Sequence, residues 1–164
     1  MSAAPQPGTV LGRLEELGLA LPPVAAPVAS YVPAVVAGDL VHTSGQLPMI
    51  SGSLPATGKV GAEISAAQAQ DLARIACLNA LAAVAAQIGD LDRITRIVKL
   101  TGYVASDPGF TGQPAVINGA SDLLGALFGE AGAHARSAVG VCVLPLDAPV
   151  ELDLVVEFAA AAEA

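Results

Sequence analysis

Tryptophan is absent from these 164 residues, and two tyrosines and three phenylalanines are the whole aromatic complement. Alanine carries much of the 54% hydrophobic content instead. Ala-rich helices can approach a sheet closely, but each alanine buries little area. A monomer built this way has few large core anchors, so oligomerisation is expected to supply extra burial. Basic residues are also few: seven Lys and Arg stand against fifteen Asp and Glu, for a net charge of −8. The seven are scattered along the chain, whereas a phosphate backbone is bound by clustered cations. Nucleic acid is therefore not an expected partner, and the acidic surface also disfavours an anionic membrane.

Cysteine and histidine are nearly missing. Cys77 and Cys142 lie far apart with no second Cys or His beside either, which makes no metal motif. They read as reduced, buried thiols of a cytoplasmic protein. His42 and His134 are each alone in sequence and read as structural or surface histidines. No basic segment precedes an apolar run at the N-terminus, so no signal peptide is expected. Mean hydropathy is high at +0.64. The stretch Ile75 to Ile88 is nevertheless broken by Asn79 and Gln87 and too short to span a bilayer, so a soluble protein is expected.

What is present is a clear punctuation by Gly and Pro. Residues 1–8 read as a loose start, and Thr9 can cap a short helix running to Leu17, with Gly18 as its stop. Pro22, Pro23 and Pro27 forbid regular structure until about Ser30. Residues 1–28 are thus an N-terminal extension with a short helix, and 29–164 a single domain. Val32–Ala37 and Leu40–Ser44 read as strands across a Gly38-Asp39 turn. A Gly- and Pro-rich loop follows over 48–62. Ser65 and Gln68 have capping-box spacing and open the best helix of the chain, which Gly89 ends. Ile94–Ala105 is a β-branched strand, and Gln113–Phe128 a second long helix stopped by Gly129 and Gly132. Arg136–Leu144 and Val150–Ala159 close the chain as strands. The order β-β-α-β-α-β-β predicts an α+β domain, a mixed sheet with two helices packed on one face.

The last two strands carry the chemistry. Alternation separates Ser137, Val139, Val141 and Val143 from Arg136, Ala138, Gly140 and Cys142. The three valines are expected to meet the helices. Arg136 would then lie on the other face with small neighbours beside it, leaving room for a ligand. In the final strand, Val150, Leu152, Leu154, Val156 and Phe158 form the core side, with Glu151, Asp153 and Glu157 opposite. Arg136 and Glu151 would so share a face. A guanidinium in a small-residue hollow suits bidentate capture of a carboxylate, and a nearby carboxylate can orient water. The same two residues also suit a plain salt bridge on a solvated or interface face. Elsewhere the motifs are missing. Ser44 has no G-x-S-x-G around it, no G-x-G-x-x-G follows a strand, and no Walker lysine occurs, so neither a serine hydrolase nor a nucleotide cofactor is indicated.

These residues bear a resemblance. Thr43-Ser44-Gly45-Gln46-Leu47-Pro48 resembles the S-G-Q-[IL]-P motif of the Rid (RidA/YjgF-like) family. Ala135-Arg136-Ser137-Ala138-Val139, then Leu144-Pro145, then Val150-Glu151-Leu152 resemble its A-R-S-x-V…L-P…[IV]-E-[IL] signature. Tyr31, Asn118 and Gly89-Asp90 also fall where the family has such residues, and the similarity covers roughly residues 28–158. The resemblance implies a chorismate-mutase-like fold, a homotrimer with sites between subunits, and hydrolysis of reactive 2-enamines and 2-imines to 2-keto acid and ammonia. It makes Arg136 the carboxylate anchor and Glu151 the water-orienting group, with Tyr31, Ser44 and Asn118 lining the cleft and no cofactor or metal. The family's frequent cysteine is Ala138 here, the N-terminal extension and the loop at 51–61 are longer, and residues 116–124 look like one branch of the family. A non-catalytic module that binds a small carboxylate is the alternative. The ribonuclease activity of the family's older name is opposed by the net charge. A chorismate mutase is opposed because a dianionic substrate calls for more than one cation and the sequence around Arg136 supplies only that one.

Overall fold

The computed structural model describes residues 8–24 and 30–160. The loose start expected over 1–8 lies outside them except for Gly8, as does the part of the proline-rich run at 25–29. Helix α1 (Val10–Glu16) is capped by the Thr9 side chain, which accepts from the Gly12 N–H. It buries Val10 and Leu14 in the core, and Asp92 accepts from the Val10 N–H.

Strands β1 (Ala34–Ala37) and β2 (Leu40–Thr43) form the expected hairpin, with Gly38 in the left-handed region at φ +64°. β1 starts two residues later than the pattern suggests, because Pro33 has no N–H to give the ladder. Helix α2 (Ala66–Ile88) opens on Ser65 with both halves of the capping box formed. At 23 residues it extends well upstream of the Ile75–Ile88 stretch and is long and apolar enough, by length and composition, to cross a bilayer. Its apolar residues are spent on the sheet instead: Ala69, Leu72, Ala73, Ala76, Cys77, Ala80, Leu81 and Val84 are buried.

Strand β3 (Ile94–Ala105), helix α3 (Gln113–Phe128), β4 (Ala135–Val141) and β5 (Val150–Phe158) complete the fold. The sheet order is β1-β2-β5-β3-β4, antiparallel except for the β3–β4 pair. The mixed sheet packed by α2 and α3 is the architecture the element order predicts. β4 stops at Val141, short of Leu144, because its neighbour β3 ends at Ala105, the partner of Val141.

The two long helices touch at backbone distance. A Cβ at Gly119 of α3 would lie 1.9 Å from the Gln70 carbonyl oxygen of α2. This closeness lets an alanine-rich layer exclude water without large side chains.

Candidate functional site

The face assignment of β4 differs from the sequence pattern. Leu100 and Leu154 are fully buried under the helices, and Arg136 pairs with Leu100 in the parallel register. Residues paired side by side share a face. Arg136, Ala138 and Gly140 therefore point toward the helices, and Ser137, Val139 and Val141 point away. Val139 is 44% exposed, and Val143, beyond the strand, 66%. The small residues make room for α3. A Cβ at Gly140 would come within 2.8 Å of the Gln113 amide in the first turn of α3.

Arg136 is held from that helix. Its Nη1 donates to Asn118 Oδ1 at 2.7 Å and to Ser121 Oγ at 3.1 Å. The sequence-predicted pair Arg136 and Asn118 is thus in contact, and Ser121 joins it. His134 stands behind Ser121, with Nε2 2.9 Å from Ser121 Oγ and Nδ1 2.6 Å from the Gly132 carbonyl oxygen. His134, taken from sequence as a lone histidine, belongs to the arginine's support. Two spacings could have signalled this. Asn118 and Ser121 are three apart on a helix and share a face. His134 and Arg136 are two apart on an extended segment.

Glu151 lies on the opposite face. It pairs with Tyr103, which in turn pairs with Val139. Arg136 and Glu151 of one chain therefore do not share a face, and the plain Arg–Glu salt bridge is not formed within the chain. Around Glu151 an open depression of about 350 Å³ is lined by Gly45, Tyr103, Leu144, Glu151 and Asp153.

Several elements position that side. The Gln46 backbone exchanges hydrogen bonds with Leu152, at 2.7 and 3.1 Å, which sets Gly45 against Glu151. The approach is close enough that a Cβ on Gly45 would sit 1.9 Å from a Glu151 carboxylate oxygen. Buried Asn79 of α2 anchors the same loop by donating to the Leu47 and Met49 carbonyls, both at 3.0 Å. The Ser44 hydroxyl donates to the Val32 carbonyl at 2.6 Å, and the Ser44 N–H to Pro33. These bonds keep the exposed Tyr31 and the segment leading into β1 beside the loop.

The electrostatics of this face are those of crowded acids. Burial, and then the charge of Asp153, raise the Glu151 carboxyl above the usual range. Asp153 is raised by burial, which outweighs the hydroxyls of Thr101 and Tyr103 that donate to it and the nearby Lys99 and His42. Burial and the two carboxylates push the Tyr103 phenol up. Lys99 donates to Ser137 Oγ across the strands at 2.9 Å. Tyr103 and Asp153 were not singled out as site residues by sequence, although they flank Glu151 on its own face. Of the two thiols, Cys77 is buried and its pKa is pushed up to about 12 by desolvation. Cys142 is exposed, against the expectation of burial, because it follows the last paired residue of β4.

The five residues singled out from sequence thus form two groups. Arg136 and Asn118 sit on the helix side of the sheet's β4 edge. Glu151 sits on the open face beside the Ser44–Gly45 loop, which is tied to the chain next to Tyr31.

Known proteins share this architecture. Protein TCP17 of Trypanosoma cruzi is 46% identical over 151 residues, covering 92% of this chain and 94% of that one. The crystal structure of Atu1372 from Agrobacterium tumefaciens matches with TM-score 0.86 and 50% identity over 92% of each chain. The structure of E. coli TdcF with bound serine matches with TM-score 0.60 and 27% identity over 83% of this chain and 94% of that one. A family model described as YjgF/chorismate mutase-like, putative endoribonuclease matches residues 11–160. With the S-G-Q-x-P and A-R-S-x-V segments lying on the two sides of one mixed sheet, the chain belongs to the Rid (YjgF-like) family.

Proposed function

We propose that this protein is a hydrolytic deaminase of reactive 2-imines and 2-enamines derived from amino acids, acting at sites shared between the subunits of a homotrimer. The observation that carries the reading is the state of Arg136. Its Nη1 is tied to Asn118 and Ser121, and its remaining N–H groups meet no acceptor among the described residues. A fixed guanidinium with free donors suits a small carboxylate. The serine bound by TdcF carries that group.

The reaction needs a held substrate, an attacking water and a proton for the departing nitrogen. Arg136 holds the carboxylate and gives up no proton. Glu151 takes a proton from the water as the water oxygen bonds to C2 of the protonated imine, and then returns that proton to the amino nitrogen of the carbinolamine, whose hydroxyl gives its own proton to solvent as the C=O forms. The carbinolamine then collapses: the C–N bond breaks, ammonia leaves, and the 2-keto acid remains. A carboxyl raised above the ordinary range is a better base for this exchange than an ordinary glutamate. Because Arg136 and Glu151 lie on opposite faces of their own sheet, the reading requires Arg136 of one subunit to meet Glu151 of another. The exposed Val139 and the half-buried acids of the open face suit a covered interface better than free solvent.

The same division of the site favours a second reading. A carboxylate can bind at the Arg136 side without engaging Glu151, which would make the protein a binding or regulatory module. An RNA substrate is disfavoured by the net charge of −8. The deciding assay follows 2-iminopropanoate, and a panel of imines from other amino acids, to keto acid and ammonia. Turnover that falls on the order of 10²-fold in Glu151→Gln, with keto-acid binding kept, supports the deaminase. Keto-acid binding with no turnover on any imine replaces it with the binding module. Light scattering that returns the mass of one 16.2 kDa chain overturns the shared site.

A further inference from the structure

We propose that His134 and Ser121 are positioning residues that turn the Nε–Nη2 edge of Arg136 toward the incoming carboxylate. This rests on the reading of Arg136 as a carboxylate anchor and adds how it is aimed.

The direction of each hydrogen bond follows from chemistry. The Gly132 carbonyl can only accept, so the His134 Nδ1 facing it at 2.6 Å carries a proton. In the neutral ring Nε2 is then a bare acceptor, and the Ser121 hydroxyl 2.9 Å away donates to it. Ser121 has one proton, and it is now committed. Its oxygen lone pairs are left for Arg136 Nη1, at 3.1 Å. Arginine has no acceptor, so Asn118 must turn its amide oxygen to the same Nη1, at 2.7 Å.

Nη1 has two N–H bonds, and these two acceptors use both. What remains is Nε–H and the Nη2 hydrogens, which meet no acceptor among the described residues. Nε–H and one Nη2–H run parallel and form a fork that fits the two oxygens of a carboxylate. The substrate carboxylate is therefore caught side-on, away from α3.

Without the His134 acceptor, the Ser121 proton is free to turn toward Nη1 and repel it. The guanidinium then loses one of its two tethers, and the fork is no longer fixed before the ligand arrives. The cost falls on carboxylate binding.

The test is pyruvate binding by calorimetry on the full chain. Ser121→Ala and His134→Phe should each weaken binding on the order of 10-fold, about the loss of one charge-assisted hydrogen bond. Ser121→Thr, which keeps the hydroxyl, should restore most of it. In an Arg136→Lys background, where no fork exists, Ser121→Ala should add little, since coupled residues are not additive. A crystal with pyruvate should place its carboxylate on Nε and Nη2. Wild-type binding matched by both single variants overturns the relay while leaving Arg136 as anchor. So does a carboxylate seated on Nη1, or a Ser121→Ala effect of the same size in the Arg136→Lys background. No pyruvate binding by the wild type overturns the anchor itself, and the relay with it. Melting curves of the variants that match the wild type exclude misfolding; a variant that melts early is replaced by Ser121→Cys, which keeps the size, weakens the hydrogen bonds, and should again weaken binding.

Discussion

The two faces of the sheet are built on different terms. The helix face is closed within the chain: Val41, Ile97, Leu100, Val104, Leu152, Leu154 and Val156 are completely buried beneath α2 and α3. Its polar intruder, Arg136, stands at the β4 edge with partners supplied by α3. The other face carries Lys99, Thr101, Tyr103, Glu151 and Asp153 with Val139, and its two acids are raised by partial burial within the chain. Two half-sites on opposite faces cannot meet in a monomer. The contrast teaches that the fold is complete within one chain, while the proposed chemistry needs the second face of a neighbour.

The largest effect is expected at Arg136. Arg136→Ala should lose roughly 2–5 kcal/mol of transition-state binding, by analogy with unpairing a buried charge pair. Arg136→Lys keeps the charge but not the planar fork and should still impair turnover strongly. Imine hydrolysis indifferent to both substitutions would place the anchor elsewhere. Next comes a test confined to the closed face. Gly119→Ala gains about 1 kcal/mol of helix propensity. Its new Cβ, however, would lie 1.9 Å from the Gln70 carbonyl, and backbone cannot step aside as a side chain can. Overpacking should win, with a net loss of about 1–3 kcal/mol in denaturant unfolding. An unchanged midpoint would mean that the two helices are not in backbone contact.

Much of this arrangement is legible in sequence. Ser65 with Gln68, Gly38-Asp39 and the glycines after each long helix mark the elements because each supplies a local interaction or conformation that needs no tertiary context. The strand β5 is legible for another reason: its large residues at alternate positions can be buried only one way. β4 is not, because its rule is inverted. Three valines look like a core face, but α3 packs so tightly on β3 and β4 that only Ala138 and Gly140 fit beneath it. β3 hides its face as well, since register shifts near Ile94 and Ile97 break strict alternation. The motif residues are therefore legible in the sequence, while their division between two faces requires the register. Ser121 and His134 escape because a serine on a helix and a single histidine specify nothing until Ser121 is seen between His134 and Arg136.

A smaller effect is expected from Gly45→Ala on the open face. Gly45 has no positive φ that would forbid a side chain, and the clashing atom is the mobile end of Glu151. The fold should survive, and the carboxylate should swing away. Turnover is expected to drop on the order of 10-fold with keto-acid binding nearly intact, as for a displaced general base. A full loss of folded protein, or wild-type turnover, would mean that the loop does not set Glu151.

The smallest effect concerns stability, and its sign separates a catalytic carboxylate from a structural one. A carboxyl raised in the folded state binds its proton more tightly there than in the unfolded chain. Between the unfolded and folded pKa values the folded state holds more protons, so stability falls as pH rises through that window. Above it, the charged form of Glu151 is a standing cost set by burial and by Asp153. Glu151→Gln removes the charge and keeps the shape. It should therefore raise the melting temperature modestly at neutral pH, and the gain should shrink as the pH falls below the ordinary glutamate range, where Glu151 is protonated in both states. Partial exposure of the group keeps the gain small. A paired, structural glutamate gives the opposite result, with Glu151→Gln destabilising at neutral pH. Melting curves of the two proteins across acid and neutral pH decide between them, and a neutral-pH loss in the variant would assign Glu151 to holding the fold together.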